Sequence, residues 1–114
     1  MDIRIIRKPV SRSVVSEIAK EFYSNMVKGV ADIELGIIAL GGEWHSDANK
    51  VLINDGSHQD NIWGFNFYLD KPKEEEIEYV ALINIRPAFG NRDMYIENAE
   101  TRNKIKAILN KLII

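Results

Sequence analysis

Glu43, His45 and Asp47 stand two residues apart, the spacing that sends three side chains to one side of an extended strand. Carboxylate, imidazole and carboxylate could then share a divalent ion, or set His45 as a general base beside an acid. Asp55 and His58 join them if the turn after Asn54 folds back. The plain alternative is a solvent-facing strand, on which such alternation is common. The chain has two histidines, no cysteine and no His-Glu-x-x-His pattern, so no metal is expected at these residues. Neither a phosphate-binding loop nor a Gly-x-Ser-x-Gly elbow is present, and Ser57-His58 is too tight a pair to imply a triad. No cofactor is expected.

A second group of polar residues lies on strand-like sequence. Pairing 62–69 against 77–86 puts Asn66, Asn84 and Arg86 on one face, with Gly64 leaving room between them. Inside a sheet an unpaired amide costs about 1–3 kcal/mol, so these asparagines need partners from the protein or from a ligand. The following loop, Arg86-Pro87-Ala88-Phe89-Gly90-Asn91-Arg92-Asp93, adds Asn91 and Arg92. Two arginines beside a turn suit a phosphate or carboxylate, because guanidinium donors come in a planar fork. An arginine–aspartate pair holding a loop closed has the same sequence. Trp44, Trp63 and Tyr68 could stack on bases, though aromatic residues alternating along a strand are usually core.

The elements that must position these groups follow from periodicity. Ile3 to Arg7 reads as a strand ended by Lys8-Pro9. Ser11 opens a helix running to about Lys28, with Val14, Val15, Ile18, Phe22, Met26 and Val27 at helical spacing and Gly29 as its stop. Val30–Glu34 and Ile37 to about His45 form a hairpin around Leu35-Gly36. Val51–Asn54 reads as a short strand, with a helical turn ending at Gly56 as the alternative. Ile62–Leu69 and Ile77–Arg86 are the clearest strands, and the polar connector 70–76 is exposed. Trp63, Phe65, Phe67, Ile83 and Ile85 are expected to face the helices as core. After a loop at 88–96, Asn98 caps a closing helix with Ile105, Ile108, Leu109 and Leu112 on one stripe. The order β-α-β-β-β-β-β-α implies an α+β fold: a mostly antiparallel sheet of five or six strands with two helices packed on it.

Residues 1–114 are expected to form a single domain, long enough to bury a core without metal or disulfide staples. Hydrophobic residues make up 46% of the chain and charged residues 28%, which excludes disorder for most of it. The charged start and the shortness of every apolar run argue against export and membrane insertion, and with the missing cysteines they suggest a cytoplasmic protein. Net charge is −2 and evenly spread. A nucleic-acid partner is therefore not expected, since neutralising phosphates needs a basic surplus.

Three segments together resemble a small bacterial domain family of unknown function: Gly41-Gly42-Glu43-Trp44-His45-Ser46-Asp47; Asp55-Gly56-Ser57 with Trp63-Gly64-Phe65-Asn66; and Ile83-Asn84-Ile85-Arg86-Pro87 with Gly90-Asn91. The resemblance spans nearly the whole chain and implies no activity, cofactor or partner. The residues themselves favour a domain that binds a small anionic molecule or another protein through Asn66, Asn84, Arg86, Asn91 and Arg92, with Glu43 and His45 at its edge. Two other classes compete. One is a small hydrolase or nuclease, using His45 with Glu43 or Asp47 and Arg86 to steady negative charge. The other is a homodimer acting through self-association at sheet edges.

Overall fold

The computed structural model describes residues 2–114. Five strands, β1 (Arg4–Ile6), β2 (Met26–Asp32), β3 (Ile37–Leu40), β4 (Ile62–Tyr68) and β5 (Ile77–Glu78), form one antiparallel sheet in the order β1-β3-β2-β4-β5. Three helices pack on it: α1 (Arg12–Ala19), α2 (His45–Asn54) and α3 (Ala99–Leu112). The α+β class and the antiparallel sheet agree with the sequence reading; the helix count is three rather than two.

The extra helix makes the sheet the middle of three layers. On one face Val27, Ala31, Ile38, Leu40, Trp63, Phe65 and Phe67 meet Val15 and Ile18 of α1 and Ile105, Leu109 and Leu112 of α3. On the other, Val30, Ile37, Ala39 and Ile62 meet Ala48 and Leu52 of α2. The expected aromatic row is therefore core, but Ile83 packs on the α2 side and Ile85 is 43% exposed. Asn98 caps α3 by accepting the Thr101 N–H at 3.0 Å, and Ile113 then bridges Val10, tying the end of α3 to the segment after β1.

Four expectations need correction. The first helix ends at Ala19, not near Lys28. A backbone bond from Ser24 N–H to the Ala19 carbonyl and a left-handed Ser24 (φ 63°) turn the chain, so Met26 and Val27 begin β2. Seven residues of β2 pair with β4, and that ladder outweighs a local helical pattern. Gly29, expected as a helix stop, lies mid-strand. Strand β3 stops at Leu40, because Gly41 and Gly42 adopt φ of 118° and 90° and turn the chain into α2. His45 and Asp47 are thus helical, and 51–54 belongs to the helix that was the alternative reading. The strand at 77–86 ends at Glu78. Beyond it, residues 79–96 fold on themselves: Ile96 N–H bonds the Tyr79 carbonyl, Ala81 N–H that of Met94, and Arg86 N–H that of Asn91. Finally, the connector 70–76 is exposed only as far as Glu75. Glu76 is buried and receives Arg12 at 2.8 Å.

Candidate functional site

The turn at Gly41-Gly42 aims the start of α2 across the sheet. Asp47 stabilises that start by accepting the Trp44 N–H at 3.0 Å. His45, in the first turn, is thereby laid over β4, with Nε2 2.9 Å from the Phe65 carbonyl. That nitrogen must carry the proton, so in the neutral ring Nδ1 keeps a lone pair. Lys28 of β2 is the register partner of Asn66 of β4. Its ammonium lies 5.2 Å from the rings of both Tyr23 and Trp44, an aromatic bracket for a cation. Tyr23 is fixed in turn by donating to the Glu43 carbonyl at 2.6 Å.

Lys28, His45 and Asn66 floor a cavity of about 230 Å³. Trp44 and Ser46 form one lip, and residues 80–83 with Met94 form the opposite wall. Asn66 is only 8% exposed; its Nδ2 donates to Glu78 at 2.7 Å, which fixes the amide orientation and leaves Oδ1 with no donor. No carboxylate pairs with Lys28 among the described residues. At the rim, the first two N–H groups of α2, those of His45 and Ser46, likewise donate to no protein group among the described residues.

Burial holds the His45 pKa below its ordinary value. The Phe65 carbonyl pulls it up, Lys28 lowers it further, and Asn66 and Glu78 act upwards. A histidine that ionises less readily when folded leaves the unfolded chain binding more protons. Its contribution is intact above about pH 6.5 and is lost as pH falls below that value. Between pH 7.5 and 5 the parent's urea midpoint is expected to drop further than that of His45→Gln. Equal drops would show that His45 is not the group responsible.

The other residues singled out by sequence are distributed differently. Asn84 is wholly buried, and its side chain acts as a peptide surrogate: Oδ1 accepts the Gly64 N–H at 2.8 Å, while Nδ2 donates to the carbonyls of Gly64 and Met94 at 3.0 and 3.1 Å. This close approach requires glycine, since a Cβ at Gly64 would fall 2.5 Å from that of Ala81. Asn91 is buried beside it, donating to the carbonyls of Asn84 and Asp93 and accepting the Glu97 N–H, each at 2.8 Å. Arg86 lies at the far end of β4. Its guanidinium donates to the carbonyls of Ile62 and Asp60 and stacks over Trp63 at 4.6 Å. Burial lowers its pKa, with Asp60 acting against that shift. Arg92 and Glu43 are exposed, and no three His, Asp or Glu side chains gather as a metal set among the described residues.

The structure therefore brings Asn66 and His45 together, separates both from Arg86, and leaves Asn84 and Asn91 occupied by backbone. A second cavity of about 310 Å³, between the 89–91 turn and the start of α3, is lined by Trp63, Phe89, Asn91 and Glu97. It has no unpaired cation comparable to Lys28. Sequence reading missed Lys28 because it assigned that residue to a helix. A polar residue between Met26 and Val30, two apart on a strand, was the available signal.

No helix among the described residues is long and apolar enough to cross a membrane. No curated protein and no solved structure matches the chain. A family model described as "Protein of unknown function (DUF5674)" matches residues 4–112, the three characteristic segments included. With that match running over almost its full length, the chain belongs to the DUF5674 family, an α+β domain of unknown function.

Proposed function

We propose that this domain binds a small anionic molecule in the cavity between the start of α2 and residues 80–83. The observation that carries the reading is Lys28: an ammonium at a cavity floor, bracketed by Tyr23 and Trp44, with no carboxylate partner among the described residues. The free N–H groups at the start of α2 add partial positive charge at the rim. Apolar side chains on the opposite wall would keep water from competing with the bound anion. Hydrolysis draws less support. His45 is engaged by a backbone carbonyl, and Arg86 and Asn66 act at positions four residues apart on β4, about 13 Å. The absence of cysteine is in keeping with a reducing cytoplasm.

Titration of isotope-labelled protein with acetate or inorganic phosphate tests this by NMR. Shifts are expected at the Ser46 amide, the Trp44 indole and residues 80–83. Lys28→Met should weaken binding about tenfold, equivalent to about 1.4 kcal/mol, with little change in melting temperature. Shifts gathered instead around Arg86 and Phe89, or none with either anion, would overturn the reading.

A further inference from the structure

The cavity is bipolar, and its two ends are close together. One end is cationic, made by Lys28 and the first turn of α2. The other is made by acceptors, the unpaired Oδ1 of Asn66 and the backbone of Val80; Glu78 lies outside the lining, where its carboxylate holds the Asn66 amide and also meets the Tyr68 hydroxyl at 3.2 Å. Lys28 and Asn66 face each other across neighbouring strands, so their backbones are roughly 5 Å apart. A ligand serving both must carry its anion and its N–H donor within a few bonds of each other. Asp47 is hydrogen-bonded to Trp44 and Glu78 to Asn66, both lining residues, and the two negative charges oppose a dianion such as a phosphate monoester. The volume, about 230 Å³, is below the range of roughly 300–1,000 Å³ typical of drug-sized pockets. The wall formed by Val80, Leu82, Ile83 and Met94 is aliphatic.

Resting on the anion-binding reading above, we infer that the ligand is an apolar amino acid or its N-acylated form: a carboxylate for Lys28 and the α2 N-terminus, an N–H donor for Asn66 Oδ1, and an aliphatic side chain against Leu82 and Met94. A phosphate or sugar would leave the Asn66 oxygen or the aliphatic wall unused. A simple fatty acid would leave that oxygen unpaired.

Calorimetric titration of the intact chain with four probes tests the assignment. L-leucine or N-acetyl-L-leucine is expected to bind at least tenfold tighter than 4-methylpentanoate, which lacks the nitrogen, and than N-acetyl-L-leucinamide, which lacks the carboxylate. Tighter binding of free leucine would set an ammonium on Asn66 Oδ1; tighter binding of the acetylated form would set an amide there. Either result supports the inference. Equal affinity for 4-methylpentanoate overturns it and leaves the anion site standing. Equal affinity for the leucinamide overturns both. If none of the four binds while acetate still shifts the Ser46 amide, the amino-acid assignment alone fails. Asn66→Leu should reduce the preference for leucine over 4-methylpentanoate to less than twofold. Should that variant not fold, the comparison among probes on the parent chain decides.

Discussion

Asn84→Ala is expected to lower the stability of the domain by roughly 3–6 kcal/mol, a large part of the 5–15 kcal/mol typical of small proteins. The side chain is wholly buried and makes three hydrogen bonds, all to backbone groups. Truncation strands the N–H and the carbonyl of Gly64, at about 1–3 kcal/mol for each group left unmade, and leaves the Met94 carbonyl with the Ala81 N–H alone. Asn84→Asp is the sharper variant. It keeps an acceptor for the Gly64 N–H but turns an ionised oxygen towards two carbonyls. Its carboxyl should therefore resist ionisation when folded, so the variant should regain stability as pH falls. Urea denaturation at pH 7.5 and 4.5 measures both. A loss below about 1 kcal/mol in Asn84→Ala would show that the side chain does not tie 79–96 to β4.

Phe65→Ala should cost about 3–5 kcal/mol, through lost burial and the void that remains. Phe65 is fully buried at the centre of β4, against the position where Gly29 of β2 has no side chain. A Cβ at Gly29 would lie 2.6 Å from the Phe65 ring and 2.7 Å from Leu40, so Gly29→Ala is destabilising as well. The two losses should not add. With the ring gone, the new methyl group occupies part of the void, and the double variant should be more stable than the sum predicts. A double-mutant cycle in urea measures the coupling, and strict additivity would mean that the ring does not fill the space over Gly29.

Strand β4 and helix α3 were legible because their local period and their tertiary surroundings agree: Trp63, Phe65 and Phe67 alternate, and Ile105, Leu109 and Leu112 form one stripe. Strand β2 was not. Both of its faces are covered, so Val27, Val30 and Ala31 are all buried and the two-residue rhythm that marks a strand disappears. The helical spacing of Val14, Val15 and Ile18 then runs by chance into Phe22 and Met26. At 77–86 the error was the reverse. Ile77, Tyr79 and Ala81 alternate as in a strand, and Ile83 and Ile85 continue the rhythm through a turn of 3₁₀ helix at Leu82–Asn84. The need of the asparagines for partners was readable from their type. That a side-chain amide would take the place of a strand beside Gly64 was not, because an amide and a peptide group offer the same donor and acceptor.

Segment 79–96 is closed by its own backbone bonds, and it is fastened to β4 by the Asn84 side chain at Gly64, by Arg86 on the Ile62 carbonyl and by Ile83 packed on the α2 side. Opening of these ties together is expected to release the segment as a unit while β1 to β4 stay paired. The amide proton of Gly64 reports that event: its exchange with deuterium should track the opening free energy of the segment and run ahead of global unfolding. Each opening removes one wall of the cavity and bares the outer edge of β4, whose freed backbone can recruit a strand from another molecule. An occupant bridging Lys28 and residues 80–83 would slow Gly64 exchange, and so protect the protein from aggregation at the place where the fold lacks a full strand.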